Sequence, residues 1–214
     1  MSCDRIVNED FLLEELKKAK KLEDKQEAKR RINILDSIMK LNWEYISRVI
    51  DYENELRNQK VREELCDRGI RFSKADKAEV AAKWDQYFSS HLSDEQKSQI
   101  FYHQYKWHVF SFGEAACKEG KAAKLAYNRT KRHDAYVFFQ HVDEAWYIER
   151  VDLLTSADLS MELGFERKDF YLFDINGAWT YVDTHESGLC GPYFARKDMK
   201  KCPAEKDGEK NTCE

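Results

Sequence analysis

Residues 1–68 contain neither glycine nor proline, and both prolines of the chain, Pro192 and Pro203, lie near its other end. A stretch of that length without helix breakers or turn formers is suited to long helices and ill suited to a meander of tight turns. Its apolar positions agree. Leu12, Leu13 and Leu16 begin one stripe, and Ile34, Leu35, Ile38, Met39, Ile46, Val49, Ile50, Leu56, Val61 and Leu65 form a longer one, mostly three or four apart. The spacing predicts a helical extension over residues 1–70, folded as a hairpin that bends near Arg31–Asn33 and stops at Gly69. A helix this charged must bury its stripe against something. The heptad slips after Met39, which favours packing against the rest of the chain over a coiled-coil dimer.

The remainder reads differently. Only Phe11, Trp43, Tyr45 and Tyr52 of the aromatic residues precede position 71, and all the others fall between Phe72 and Phe194. A helix is expected from Ser73 through Phe88, carrying Val80, Trp84 and Phe88 on one side. Ser93 and Gln96 have the spacing of a capping box opening a second helix, which should run to about Gly113, and Lys118–Tyr127 reads as a third. Beyond Asp134 the pattern turns to β-branched and aromatic runs. Tyr136–Gln140 and Ala145–Ile148 form one expected hairpin, and Phe170–Phe173 and Trp179–Val182, joined across Asn176-Gly177, form a second. Ser156 should open a short helix or turn between them. The predicted class is α+β, with N-terminal helices followed by an antiparallel sheet of about four strands over residues 71–195. Residues 196–214 read as a disordered tail.

Several function classes fall away on composition. The chain of 214 residues carries 36 Lys+Arg against 40 Asp+Glu, a net charge of −4, and acidic residues interrupt every basic cluster of the extension. Neither feature suits a phosphate-binding surface, so no nucleic-acid partner is expected. With 8 glycines and no G-x-S-x-G, Walker or G-x-G-x-x-G motif, the common hydrolase, NTPase and dinucleotide signatures are missing, and no cofactor is implied. No apolar run approaches the ~20 residues of a membrane helix, so no membrane partner is expected. Met1-Ser2-Cys3-Asp4-Arg5 leads into Asn8-Glu9-Asp10 and not into an apolar stretch, which points to the cytoplasm. There Cys3, Cys66, Cys117, Cys190, Cys202 and Cys213, scattered and without a C-x-x-C pair, should be free thiols.

Two places could carry chemistry. Asp183-Thr184-His185-Glu186, just past the last expected strand, sets an imidazole between carboxylates near Cys190, so His185 is a candidate base or metal ligand with Asp183 or Glu186 orienting it. The same residues could instead hold the loop that returns Tyr193 and Phe194 to the core. H-E-x-x-H is absent because Leu189 occupies the second histidine position, and no metal site is assigned. His103 and His108, five apart, sit ~140° apart around a helix and suit a shared metal poorly. His103 and Trp107 read as a packed pair. The second place is electrostatic. Asp152, Asp158, Glu162, Glu166, Asp169, Asp174, Asp183 and Glu186 outnumber Arg150, Arg167 and Lys168 between positions 150 and 194. An acidic, aromatic surface of Asp174, Trp179, Tyr181, Asp183 and Tyr193 would suit a basic protein partner.

Trp107-His108-Val109-Phe110-Ser111-Phe112, Tyr136-Val137-Phe138-Phe139-Gln140-His141 and Trp179-Thr180-Tyr181-Val182-x-Thr184-His185-Glu186, followed by Gly191-Pro192-Tyr193-Phe194, together resemble a family of small bacterial proteins. That family, found mainly in Gram-positive species, carries a domain of unknown function. The resemblance covers about residues 75–195 and implies no catalytic residues. The last of these segments is also similar to sheet termini in several immunity proteins of bacterial toxin systems. The expectation is therefore a non-enzymatic, cytosolic interaction protein, of an immunity or defence kind, binding a basic protein or itself. A hydrolase or metal-dependent enzyme centred on His185 and Glu186 is the first alternative, and a helical oligomerisation module the second.

Overall fold

The computed structural model describes residues 8–160, 169–186 and 189–199. The chain divides into two compact units, Met1–Arg57 and Asn58–Glu214. Glu162, Glu166, Arg167, Lys168, Cys3, Cys202, Cys213 and most of the expected tail lie outside the described residues.

The first unit is a helical hairpin. Helix α1 (Glu9–Ala19) opens on Asn8, whose side chain accepts from the Asp10 and Phe11 N–H groups. Helix α2 (Lys25–Asp67) follows after a short turn, and Asp24 caps it by accepting from the N–H groups of Gln26 and Glu27 at 2.8 and 3.2 Å. The bend therefore falls at residues 20–24 and not at Arg31–Asn33, which are helical throughout. An Asx cap ends the ambiguity: Asp24 satisfies the first free N–H groups of α2, and nothing at Arg31–Asn33 does so. The helices run antiparallel, since Leu12 lines a cleft with Met39 and Ile46, while Ala19 and Leu22 line another with Ile34 and Leu35.

The second unit takes the last turns of α2, where Leu65 is buried in a core cluster. Gly69, at φ 97°, ends the helix as expected, with the Ile70 N–H donating to the Leu65 carbonyl at 3.2 Å. There follow β1 (Arg71–Ala75), α3 (Lys77–Phe88), α4 (Asp94–Gln99), α5 (His108–Ser111), β2 (Lys118–Glu119), α6 (Gly120–Arg129), β3 (Ala135–Phe139) and β4 (Ala145–Glu149). A 3-10 turn, α7 (Ser156–Ser160), β5 (Phe170–Asp174), β6 (Trp179–Asp183) and β7 (Tyr193–Arg196) complete it. The class is α+β with an antiparallel sheet, but the sheet has seven strands and not about four, in the order β1-β4-β3-β5-β6-β7-β2.

Three of the seven strands, β1, β2 and β7, lack a local sequence signature. In β1, Arg71, Ser73 and Lys74 are exposed at a sheet edge, so the segment lacks an apolar signature. Asp76, and not Ser73, caps α3, accepting from the Glu79 N–H at 2.9 Å. β2 is two residues long, and β7 lies past a loop that conceals its pairing with β6. The capping box of Ser93 and Gln96 is formed, but its helix stops at Gln99. Phe101 then adopts φ 52° and stands exposed while Tyr102 turns inward, so the expected helix to Gly113 is broken.

Both faces of the sheet are covered. Val137, Phe139, Phe170, Leu172, Trp179, Tyr181 and Phe194 point to one core, closed by Ala123 and Tyr127 of α6, Leu159 of α7 and Leu65. Phe138, Tyr171, Phe173, Val182, Tyr193 and Ala195 point to the other, closed by Trp84 and Phe88 of α3 and Val109 and Phe110 of α5. Strands buried on two sides read as continuous apolar runs, as Phe170-Tyr171-Leu172-Phe173 does. Among the described residues no helix is long and apolar enough to cross a membrane, and Cys66, Cys117 and Cys190 are free thiols.

Candidate functional site

The loop after β6 brings His185 to the start of β5. Phe170 pairs with Asp183 across the β5–β6 ladder, so Asp169 lies level with the residues that follow β6. His185 Nδ1 lies 3.0 and 2.9 Å from the two carboxylate oxygens of Asp169, whose Oδ1 also accepts from the His185 main-chain N–H at 3.1 Å. Asp169 is buried and adopts φ 55°, a left-handed conformation that Asp tolerates better than most residues. Its backbone carbonyl accepts from Gln140 N–H at 2.9 Å, which ties the ends of β3 and β5 together.

A ring of aromatic and imidazole groups surrounds this pair. The Tyr105 ring stands 5.0 Å from His185, 5.3 Å from His141 and 5.4 Å from His108. Trp107 stands 6.1 Å from His185, and His141 Nε2 lies 3.9 Å from Asp169 Oδ2. Below them, the buried Tyr171 hydroxyl donates to Gln140 Oε1 at 2.8 Å and accepts from the Trp107 N–H at 3.0 Å. This network fixes the 105–108 segment against the sheet. Trp107 Nε1 is buried with no hydrogen-bond partner among the described residues.

The expected partners of His185 are rearranged. Its carboxylate is Asp169, sixteen positions away in sequence. Glu186 Oε1 lies 3.9 Å from His185 Nε2, and Asp183 is buried, accepting from the Thr184 N–H at 3.1 Å. Glu186 also binds the loop to itself, its carbonyl accepting from the Leu189 and Cys190 N–H groups. Thr184 Oγ1 donates to the Cys190 carbonyl at 2.7 Å, and Glu119 accepts from the Gly191 N–H at 2.9 Å. Burial and the nearby Glu186 carboxylate push the Cys190 thiol up, so at neutral pH it is protonated and a poor nucleophile. Burial pushes Cys117 up to about 11, with the same consequence. His103 is exposed and edge-on to Tyr102, while Trp107 packs on Tyr105 and His108, so the expected His103–Trp107 pair gives way to the break at Phe101. No group of three or more His, Cys, Asp or Glu among the described residues is arranged to hold a metal ion.

The acidic aromatic surface does not assemble as a docking face. Trp179, Tyr181 and Tyr193 are at most 2% exposed, and their rings belong to the two cores. Asp174 accepts from the N–H groups of Asn176 and Ala178 at 2.9 and 3.2 Å, closing the β5–β6 turn. Asp158 pairs with Arg68 and Asp152 with Arg150, while Asp169 is buried against His185, so these three carboxylates are engaged within the chain.

No curated protein and no solved structure matches the chain. A sequence model of one family does, beginning in the last turns of α2 and ending within β7, so that it takes in the whole His185–Asp169 centre. The chain belongs to this family, the domain of unknown function DUF4275, matched over residues 59–194.

Proposed function

We propose that the α+β domain is a hydrolytic catalyst in which His185 serves first as general base and then as general acid. The observation that supports this reading most directly is the bidentate approach of His185 Nδ1 to the buried carboxylate of Asp169. A carboxylate so placed fixes the orientation of the imidazole and the tautomer that leaves Nε2 free to accept a proton. The ring is 39% exposed, so Nε2 remains within reach of a small ligand. In the proposed step Nε2 takes a proton from water as the water oxygen bonds to an acyl or phosphoryl centre. The imidazolium, paired with Asp169, returns that proton to the leaving oxygen as its bond to the centre breaks. A basic-protein docking role at the acidic end has lost its aromatic anchors to the core and is not proposed.

The test uses the full chain with p-nitrophenyl acetate and p-nitrophenyl phosphate as probes. Hydrolysis of one of them above the buffer rate is expected, falling about a hundredfold or more in His185→Ala, with the urea midpoint of that variant measured in parallel. Asp169→Asn should retain part of the rate with a displaced pH profile. Rates at the buffer level for both probes, or a native rate in a folded His185→Ala variant, would overturn the proposal. In either case His185 is a strut of the loop.

A further inference from the structure

Independently of the acid–base reading, we infer that α2 is the self-association surface of the chain, pairing antiparallel with α2 of a second copy about Tyr45. Ile34, Ile38, Leu41, Tyr45, Val49, Tyr52 and Leu56 follow one another at intervals of four, three and four residues, repeated twice. This eleven-residue repeat, about 3.67 residues per turn, keeps them on one face of a nearly straight helix. At ~100° per residue all seven fall within an arc of about 80°. The slip after Met39 in a heptad reading is this change of period.

Most of the face is uncovered, with Ile38 and Tyr45 half-buried. Ile34 is 52% exposed, Leu41 64%, Tyr52 65% and Leu56 50%. Helix α1 packs about a quarter turn away, at Leu35, Met39 and Ile46, and its end reaches the edge of the face at Ile34. About a quarter turn to the other side lie Lys40, Glu44, Arg48 and Asp51, all exposed and without an ion pair among the described residues.

Those four charges select the occupant. When two copies cross about Tyr45, Ile34 meets Leu56 of the second copy, Ile38 meets Tyr52, and Leu41 meets Val49. The same register sets Lys40 against the second copy's Asp51 and Glu44 against its Arg48. By symmetry each contact occurs twice, as a closed isologous interface requires. A parallel pairing would turn this charged flank towards the α1 side of the partner and lose the match. A row of apolar residues flanked by charges that alternate in sign, from Lys40 to Asp51, is complementary to itself when the helices run antiparallel.

Sedimentation of the full chain tests the inference. A mass twice the 25.4 kDa of one chain is expected at micromolar concentration. Leu41→Asp should sediment as a monomer with an unchanged unfolding transition of the α+β domain. Lys40→Asp should weaken the dimer at least tenfold, and adding Asp51→Lys should restore it. A monomeric native chain at 100 µM, about a hundredfold above a micromolar Kd, overturns the inference. A dimer that survives Leu41→Asp, or a Lys40→Asp defect that Asp51→Lys does not repair, overturns the surface or the register.

Discussion

The Asp169 carboxylate, 3% exposed, accepts from both the side chain and the main chain of His185 and so fastens the loop after β6 to the start of β5. A single buried charge thereby sets the imidazole and the backbone that carries it. Removing the charge while keeping an oxygen acceptor separates these two roles.

Asp169→Asn should lower stability by about 1–3 kcal/mol, the range for losing hydrogen bonds to a buried charged group. Asn also tolerates the left-handed conformation at φ 55°, so backbone strain does not confuse the result. Urea unfolding measures the difference. A change below a few tenths of a kcal/mol would mean that the charge is expendable and that an amide oxygen holds the loop as well.

Gly177 sits in the β5–β6 turn at φ 72°, and a Cβ added there would run into the Tyr87 ring. Gly177→Ala combines an unfavourable backbone with overpacking, and a loss of about 2 kcal/mol or more is expected. Pairing it with Tyr87→Ala should remove the steric part and leave the backbone part. Thermal unfolding of the two variants, compared with Tyr87→Ala alone, separates the two contributions.

The Asn176-Gly177 hairpin was legible because its chemistry is local: the glycine supplies the positive φ and the flanking runs supply the strands. Ser93 with Gln96 was legible for the same reason. Asp169 was not, since its meaning depends on a partner sixteen residues away. The signal was nevertheless there in the hairpin register, which pairs Phe170 with Asp183 and so sets Asp169 level with the residue before His185. Trp179, Tyr181 and Tyr193 are unavailable as surface anchors because both faces of the sheet are covered. Phe170-Tyr171-Leu172-Phe173 has no polar alternation, and that run alone marks a strand covered on both sides, with Trp179 and Tyr181 on its neighbour burying one way and Val182 the other. The long stripe of α2 was visible, but a heptad template hid its eleven-residue period.

Trp84 Nε1 donates to Thr180 Oγ1 at 3.0 Å, and that hydroxyl donates onward to the Leu172 carbonyl at 3.1 Å, all within the core between α3 and the sheet. Thr180→Val keeps the shape and strands a buried indole N–H. A loss of about 1–3 kcal/mol is expected by urea unfolding, and Thr180→Ser, which retains the hydroxyl, should recover part of it. If valine is as stable as threonine, the indole is not dependent on this acceptor.

Asp158 offers a test by pH. Burial pushes its carboxyl up, but the Arg68 guanidinium, with Arg68 Nη1 at 2.6 Å from Oδ1, and the N–H and hydroxyl of Thr155 together hold it below the ordinary carboxylate range. A carboxyl whose folded value lies below its unfolded one, about 3.9, contributes stability above that pH and loses the contribution as pH falls through the folded value. Asp158→Asn should therefore be less stable than the native chain by about 1–3 kcal/mol at pH 7, by a nearly constant margin down to about pH 5, and by a shrinking one below about pH 4. Unfolding by urea across that range measures the gap directly. A margin that stays constant through pH 3 would assign the loss to packing in the Thr155–Asp158 turn and not to the charge, since Arg68 remains protonated throughout.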